Sequence, residues 1–333
     1  MHRPQGGRHP TVEKALVPHA GAMVDGPAVQ IPTGVHLRSG LMSMLMTDRE
    51  IRRLVLEGEL ARLHRGAYVA GPSPLDSGAR YAARVEALVR SHEGTGDRLV
   101  LAGPAALTRY GLPLFGRPPE QIHLAKRRTG GRAARGMTVA IGELPVDERR
   151  TVAGIEVASP ARAALDTARL HTLVAGLAAA DAGLRTGLMS MRDLTVSADR
   201  MPRLKGVERA RRVTDLAHAG SQSPGESWSA LVLDQVGVPR PQRQAEFRDG
   251  RGLAGRVDFW WPEHRTVGEF DGRVKYGRRT PWGQLGQDAL WAEKLREDRL
   301  RDLGLAVVRW TMADLGRPED LRARIERAFA RQH

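Results

Sequence analysis

Residues 256–276, RVDFWWPEHRTVGEFDGRVKY, constrain the fold more than any other stretch of the chain. Two strand-like runs, Val257–Trp261 and Thr266–Phe270, flank a four-residue break from Pro262 to Arg265. Both are rich in aromatic and β-branched residues, the composition that half-buried strands favour. Pairing Trp261 with Thr266 across the break sets Asp258 opposite Glu269. Facing Cβ atoms on paired strands lie about 5 Å apart, and like charges there repel. Strand alternation adds Asp271 to the face of Glu269 if the strand runs that far. Three carboxylates on one face of a hairpin otherwise built for burial require something positive beside them. Two neutralisers stand open: a hard divalent cation, Mg²⁺ or Mn²⁺, suited to oxygen ligands, or arginines at Arg256, Arg273 and Arg309.

A chain of 333 residues has room for two or three domains at about 150 residues each. Its formal charge of +14 favours a polyanionic partner such as nucleic acid. Only five of the 52 basic residues are lysine, a skew that GC-rich codon usage produces, so part of the excess is background. The excess is also uneven, +11 over residues 1–220 and +3 over residues 221–333, which puts most of the polyanion attraction upstream of the carboxylates. With no cysteine, disulfides, thiolate zinc sites and cysteine nucleophiles are excluded. No apolar run approaches the roughly 18 residues of a membrane span, and the N-terminus lacks the apolar core of a signal peptide. The expectation is a cytoplasmic protein with no membrane contact. The oligomeric state is not fixed by the sequence.

Along the chain, residues 1–35, punctuated by prolines and glycines, read as a flexible tail. Residues 36–77 read as a small DNA-binding unit. Thr47 and Glu50 form a capping box that starts a helix, Ile51, Leu54 and Val55 supply its apolar stripe, and Arg49, Arg52 and Arg53 lie on its exposed side. Two short strands then surround a basic turn at His64-Arg65-Gly66. A basic helix followed by a basic hairpin is the ending of a winged helix-turn-helix, whose helix lies in the major groove while its wing touches phosphate. The alternative is a small structural unit with solvated arginines.

Residues 78–220 read as a mixed α/β region without a catalytic constellation. Helices are expected over 78–92, 105–110, 159–168 and 173–186, and strands over 121–125 and 137–141. A basic loop runs from Lys126 to Arg132, and a basic linker helix over 199–220. All six tryptophans lie beyond residue 220, which supports a separate C-terminal domain over 221–333. There Ser223 and Glu226 open a helix, three strands follow, and a helix over 285–303 and a closing strand over 305–310 complete an α-βββ-α-β order. The fold class is therefore α+β and multidomain.

Two resemblances attach to these residues. Asp48-Arg-Glu-Ile-Arg-Arg-Leu-Val55, Gly58-Glu-Leu60 and Arg65-Gly-Ala-Tyr-Val69 resemble the N-terminal winged helix of AbiEi-type antitoxins. Residues 102–112, 152–162 and 165–166 continue that resemblance more loosely. It implies a transcriptional repressor bound to double-stranded DNA, with a possible cognate toxin as partner.

The ordered set Glu226, Val257-Asp-Phe259, Glu269-Phe-Asp-Gly272, Glu297-Asp-Arg299 and Val308-Arg-Trp310 resembles the PD-(D/E)XK nuclease superfamily, near the very-short-patch repair endonucleases. That implies a restriction-endonuclease-like domain in which Asp258, Glu269 and Glu226 hold Mg²⁺ or Mn²⁺ for phosphodiester hydrolysis. This sequence departs from the family pattern by placing Asp271 where a lysine is usual. Lys275 or Lys294 would have to take that lysine's part. Two functions follow: a metal-dependent endonuclease directed to DNA, or a non-catalytic antitoxin that keeps an inactive nuclease fold as a binding module.

Overall fold

The computed structural model describes residues 31–71, 76–95, 98–125, 138–201, 203–272 and 283–331. The N-terminal unit is β1 (Val35–Leu37), α1 (Arg38–Ser43), α2 (Asp48–Leu56), β2 (Leu60–His64), β3 (Ala67–Ala70) and α3 (Ser77–His92). The expected capping box opens α2: Glu50 Oε2 accepts the Thr47 N–H at 2.7 Å, and Thr47 Oγ1 accepts the Glu50 N–H at 3.3 Å. Ile51 and Leu54 pack under it with Leu41, Met46 and Leu60. The strands form an antiparallel sheet in the order β1-β3-β2. The described part of the expected tail is packed: Val35 is buried in β1 with Leu63 and Ala67, and Ile31 rests on the core of Ile51 and Leu54.

The middle region contains β4 (Val100–Leu101), α4 (Gly103–Arg109), β5 (Ile122–Leu124), β6 (Thr138–Ala140), β7 (Arg149–Val152) and β8 (Ile155–Ala158). The helices α5 (Pro160–Leu170), α6 (Leu173–Arg185), α7 (Met191–Asp199) and α8 (Val207–Leu216) follow. Its sheet runs β6-β5-β4-β8-β7. The alanine-rich helices α5 and α6 pack closely because residue 176 is glycine: a Cβ there would sit 2.6 Å from the Ala168 nitrogen and 2.7 Å from the Ala164 oxygen. The expected basic helix over 199–220 is shorter, since α8 begins only at Val207, and α7 precedes it unforeseen. The basic loop from Lys126 to Arg132 lies outside the described residues.

The C-terminal region runs α9 (Pro224–Gln235), β9 (Gln242–Asp249), β10 (Gly252–Trp261), β11 (Thr266–Asp271), α10 (Gly283–Asp302) and β12 (Ala306–Thr311). Two further helices, α11 (Met312–Leu315) and α12 (Pro318–Ala330), end it. The sheet order is β12-β11-β10-β9. β9, β10 and β11 form an antiparallel meander, and β12 lies parallel to β11, so α10 is the crossover such a pair needs. Phe259, Trp261 and Trp310 form one core with residues of α9 and α12. A second cluster joins Val257, Val267, Leu300 and Leu305. Gly268 leaves the space that Trp310 fills, and a side chain there would collide with that ring. The molecule is a mixed α+β protein with several cores. These are not independent, because Leu231 of α9 belongs to the core of the middle region.

Candidate functional site

Trp261 pairs with Thr266 in the hairpin register read from the sequence, which continues through Phe259 and Gly268 and sets Asp258 beside Glu269. On the other side of β10, the pairs Val257–Ala245 and Phe259–Arg243 bracket Gln244, which faces Asp258. Glu269 in turn pairs with Arg309 on β12. Gln244, Asp258, Glu269 and Arg309 thus form one polar row across all four strands.

Each member of the row has a defined partner. The Gln244 amide nitrogen donates to Glu226 Oε2 at 2.9 Å and to Asp258 Oδ1 at 3.1 Å, bridging two carboxylates. Glu226, buried in the first turn of α9, also accepts from the Gln222 N–H and the Ser223 hydroxyl, each at 2.9 Å. Asp258 Oδ2 accepts the Phe270 N–H at 2.9 Å. Burial, and then the neighbouring Glu226 carboxylate, push the Asp258 carboxyl up to about 6. Buried Glu269 lies between two guanidinium groups: Arg296 Nη1 is 2.7 Å from Oε1, and Arg309 Nε donates to Oε2 at 2.9 Å. Arg309 also meets Glu297 at 3.1 Å.

A hard cation needs several oxygens converging on open space, and these carboxylates do not fit that description. Both oxygens of Glu269 face arginine, and Glu226 and Asp258 share one amide. Among the described residues no group of three or more His, Asp or Glu side chains is arranged to hold a metal ion. β11 runs as far as Asp271, so alternation keeps it on the face of Glu269, with its side chain exposed at the strand's end where Glu269 is buried. Lys294 is exposed, with its ammonium 5.8 Å from the centre of the Trp291 ring. Lys275 and Arg273 lie outside the described residues. Of the arginines read as neutralisers, Arg309 takes the part. Arg256 contributes its carbonyl, which accepts from Arg296. Gln244 and Arg296 went unread. Gln244 acts through a backbone in the left-handed region at φ 58°, which no local pattern encodes. Arg296 sits among the charged residues on the polar side of α10, where spacing does not single it out.

A second polar centre joins the C-terminal region to the middle. Asp181 of α6 accepts from the His218 N–H at 2.8 Å, the Ser221 hydroxyl at 2.6 Å and the Ser227 hydroxyl at 2.7 Å. The guanidinium of Arg243, on β9, lies 3.7 Å away. Burial pushes the Asp181 carboxyl up and pulls Arg243 down. A third buried cluster is internal to the middle region. Arg162 bridges Glu148 at 2.5 Å and Asp166 at 3.0 Å, Arg169 meets Asp166 at 2.5 Å, and the Ser197 hydroxyl donates to Glu148 at 2.6 Å.

In the N-terminal unit Arg49, Arg52 and Arg53 are exposed on α2, and Arg65 is exposed at the hairpin turn, while His64 is half-buried. Arg53 is paired with Glu57. Residues 47–59 carry three arginines against four carboxylates, so α2 presents a mixed surface rather than a basic one.

Residues 101–216 match the AbiEi antitoxin C-terminal domain. The match falls on the middle region, where the sequence resemblance is looser, and not on residues 48–69, where it is strongest. The Arg162–Asp166 cluster lies within this AbiEi-like segment. Two uncharacterized proteins of Mycobacterium tuberculosis, MT2308 and Rv2248, are each 29% identical over 181 residues, 54% of this chain and 64% of their own length. The chain therefore spans somewhat under two thirds of these relatives. The crystal structure of the RV2827C protein from the same organism overlaps 65% of this chain and 84% of its own, at 16% identity and a TM-score of 0.33. No helix among the described residues is long and apolar enough to cross a membrane.

Proposed function

We propose that the chain is a non-catalytic, antitoxin-like DNA-binding protein of a toxin–antitoxin or abortive-infection system, with a C-terminal nuclease-like fold used as a binding module. The observation that carries this reading is the match of residues 101–216 to the AbiEi antitoxin C-terminal domain. The N-terminal β1-β3-β2 sheet with two helices between its first two strands supports a winged helix, in which Arg49, Arg52, Arg53, His64 and Arg65 meet the duplex. The capture of Glu269 by Arg296 and Arg309 supports a binding rather than a cleaving role downstream.

The test is fluorescence anisotropy with the duplex upstream of the protein's own gene. Binding is expected without added metal, with affinity falling as salt rises. Replacing Arg49 and Arg65 by alanine is expected to weaken it about tenfold or more and to flatten the salt dependence. No binding at moderate salt would falsify the reading.

One observation favours a second reading, a metal-dependent endonuclease. Glu226 and Asp258 share a single amide, and Asp258 holds its proton to about pH 6, a like-charge contact that Mg²⁺ or Mn²⁺ would relieve. This reading requires Arg296 and Arg309 to release Glu269, and Lys275 or Lys294 to replace the missing lysine. Plasmid cleavage in Mg²⁺ or Mn²⁺, abolished by Asp258→Ala and by Glu269→Ala, would establish it in place of the first. Intact plasmid, or cleavage that both variants retain, removes it.

A further inference from the structure

Two carboxylates of α2 and its end have partners on that helix or its cap: Glu50 accepts from Thr47, and Glu57 pairs with Arg53. Asp48 is held from another element. Arg38, the first residue of α1, meets it with a paired fork: Nε donates to Oδ1 at 2.7 Å and Nη2 to Oδ2 at 2.5 Å. Both side chains are close to half exposed, 45% for Arg38 and 49% for Asp48. The Arg38 backbone N–H donates to the Gly66 carbonyl at 2.8 Å, which ties the same residue to the turn of the β2–β3 hairpin. Arg38 therefore stands where the start of α1, the first turn of α2 and the hairpin turn meet. Exposed Arg49 follows Asp48 in the chain, and exposed Arg65 precedes Gly66.

In a helix-turn-helix the second helix enters the groove while the first crosses the DNA backbone. A fork of guanidinium N–H donors fits a phosphate as well as it fits a carboxylate. An exposed ion pair contributes little to stability, whereas a phosphate contact on a duplex also gains from counterion release. The exchange of carboxylate for phosphate is therefore favourable. We propose that Asp48 stands in for a DNA phosphate in the free protein, and that a backbone phosphate takes over the Arg38 guanidinium when a duplex binds. This rests on the DNA-binding reading above and adds Arg38 to it as a phosphate contact. Asp48 is then a brake on affinity that acts alike on every sequence, because phosphate contacts carry no base information.

The experiment is a double-mutant cycle on the full chain, with wild type, Arg38→Ala, Asp48→Asn and the double variant. Anisotropy measures each against the duplex upstream of the gene and against a scrambled duplex of equal length. Asp48→Asn is expected to bind both duplexes about fivefold more tightly. Arg38→Ala is expected to cost about threefold in wild type and about tenfold beside Asp48→Asn, where no carboxylate competes for the guanidinium. In that second background it also lowers the salt slope by about one. Glu326→Gln removes one charge from a similarly exposed arginine pair on α12 and shifts affinity by about twofold at most. Circular dichroism of every variant stays that of wild type, since these side chains are exposed. An equal Arg38→Ala cost in the two backgrounds, or a smaller cost without Asp48, overturns this proposal and leaves DNA binding standing. Binding of neither duplex by any of the four proteins overturns both.

Discussion

A carboxyl that ionises only near pH 6 gives folding a pH dependence of definite sign. In the unfolded chain Asp258 ionises near the ordinary aspartate value. In the fold, burial and Glu226 hold the proton on. Its contribution to stability is therefore fully present below about pH 4 and is lost as pH rises through about 6. The difference between the protonation states is roughly 2–3 kcal/mol. Asp258→Asn keeps an oxygen for the Phe270 N–H and does not titrate. The variant should gain about 2 kcal/mol over wild type at pH 8 and little at pH 3.5, by urea unfolding at both. Equal effects at the two pH values would refute this assignment. In the middle region, Arg162→Ala leaves Glu148 and Asp166 buried with half their partners, and a loss of about 3–5 kcal/mol is expected in the same assay. At this scale the Asp258–Glu269 pair was legible, because a hairpin register follows from counting. Gln244 was not, because its role depends on a third strand and on α9 meeting it.

Among the elements, α5 and α6 show how a single hydrogen sets a packing distance. Gly176 faces backbone atoms of α5, which cannot swing away as a flexible side chain would. Gly176→Ala, although favourable to an isolated helix, should destabilise the protein by about 1–3 kcal/mol through overpacking, seen as a lower melting temperature. Gly225, whose Cβ would collide with Phe270, repeats the arrangement between α9 and β11. The helices α2, α3, α5, α6, α9 and α10 and the C-terminal strands were legible from apolar period and capping residues. The exchange of hydrophobic period was hardest to read in short elements: β4 has two residues, and α1 has six. The stripe Leu321, Ile325, Ala328 and Phe329 of α12 does carry helical spacing in the sequence, but no site motif accompanies it.

For the whole molecule, the change of composition at residue 221 marks a boundary in the chain but not a gap in the packing. Asp181 gathers the 218–221 segment, α9 and β9 onto α6, and Leu231 enters the core of the middle region. Local pattern cannot show this, because the partners are more than 35 residues apart in sequence. The middle and C-terminal regions should therefore unfold in one calorimetric transition. Asp181→Ala, which removes the carboxylate beside Arg243 and the acceptor of two hydroxyls, should lower stability by about 3 kcal/mol and separate the transition into two steps. Two separate transitions in the wild type would contradict this coupling.

The parallel strand β12 also sets the order of events during synthesis. It is the partner of β11 but lies some forty residues further along, beyond the whole of α10. An antiparallel meander can close locally, whereas this pairing must first close a long loop, a slow step in folding. Until the ribosome has released Thr311, one edge of β11 stays open and Glu269 waits without Arg309. The nascent chain is thus most exposed to misassociation while α10 is being made, and chaperone dependence should track the interval between β11 and β12.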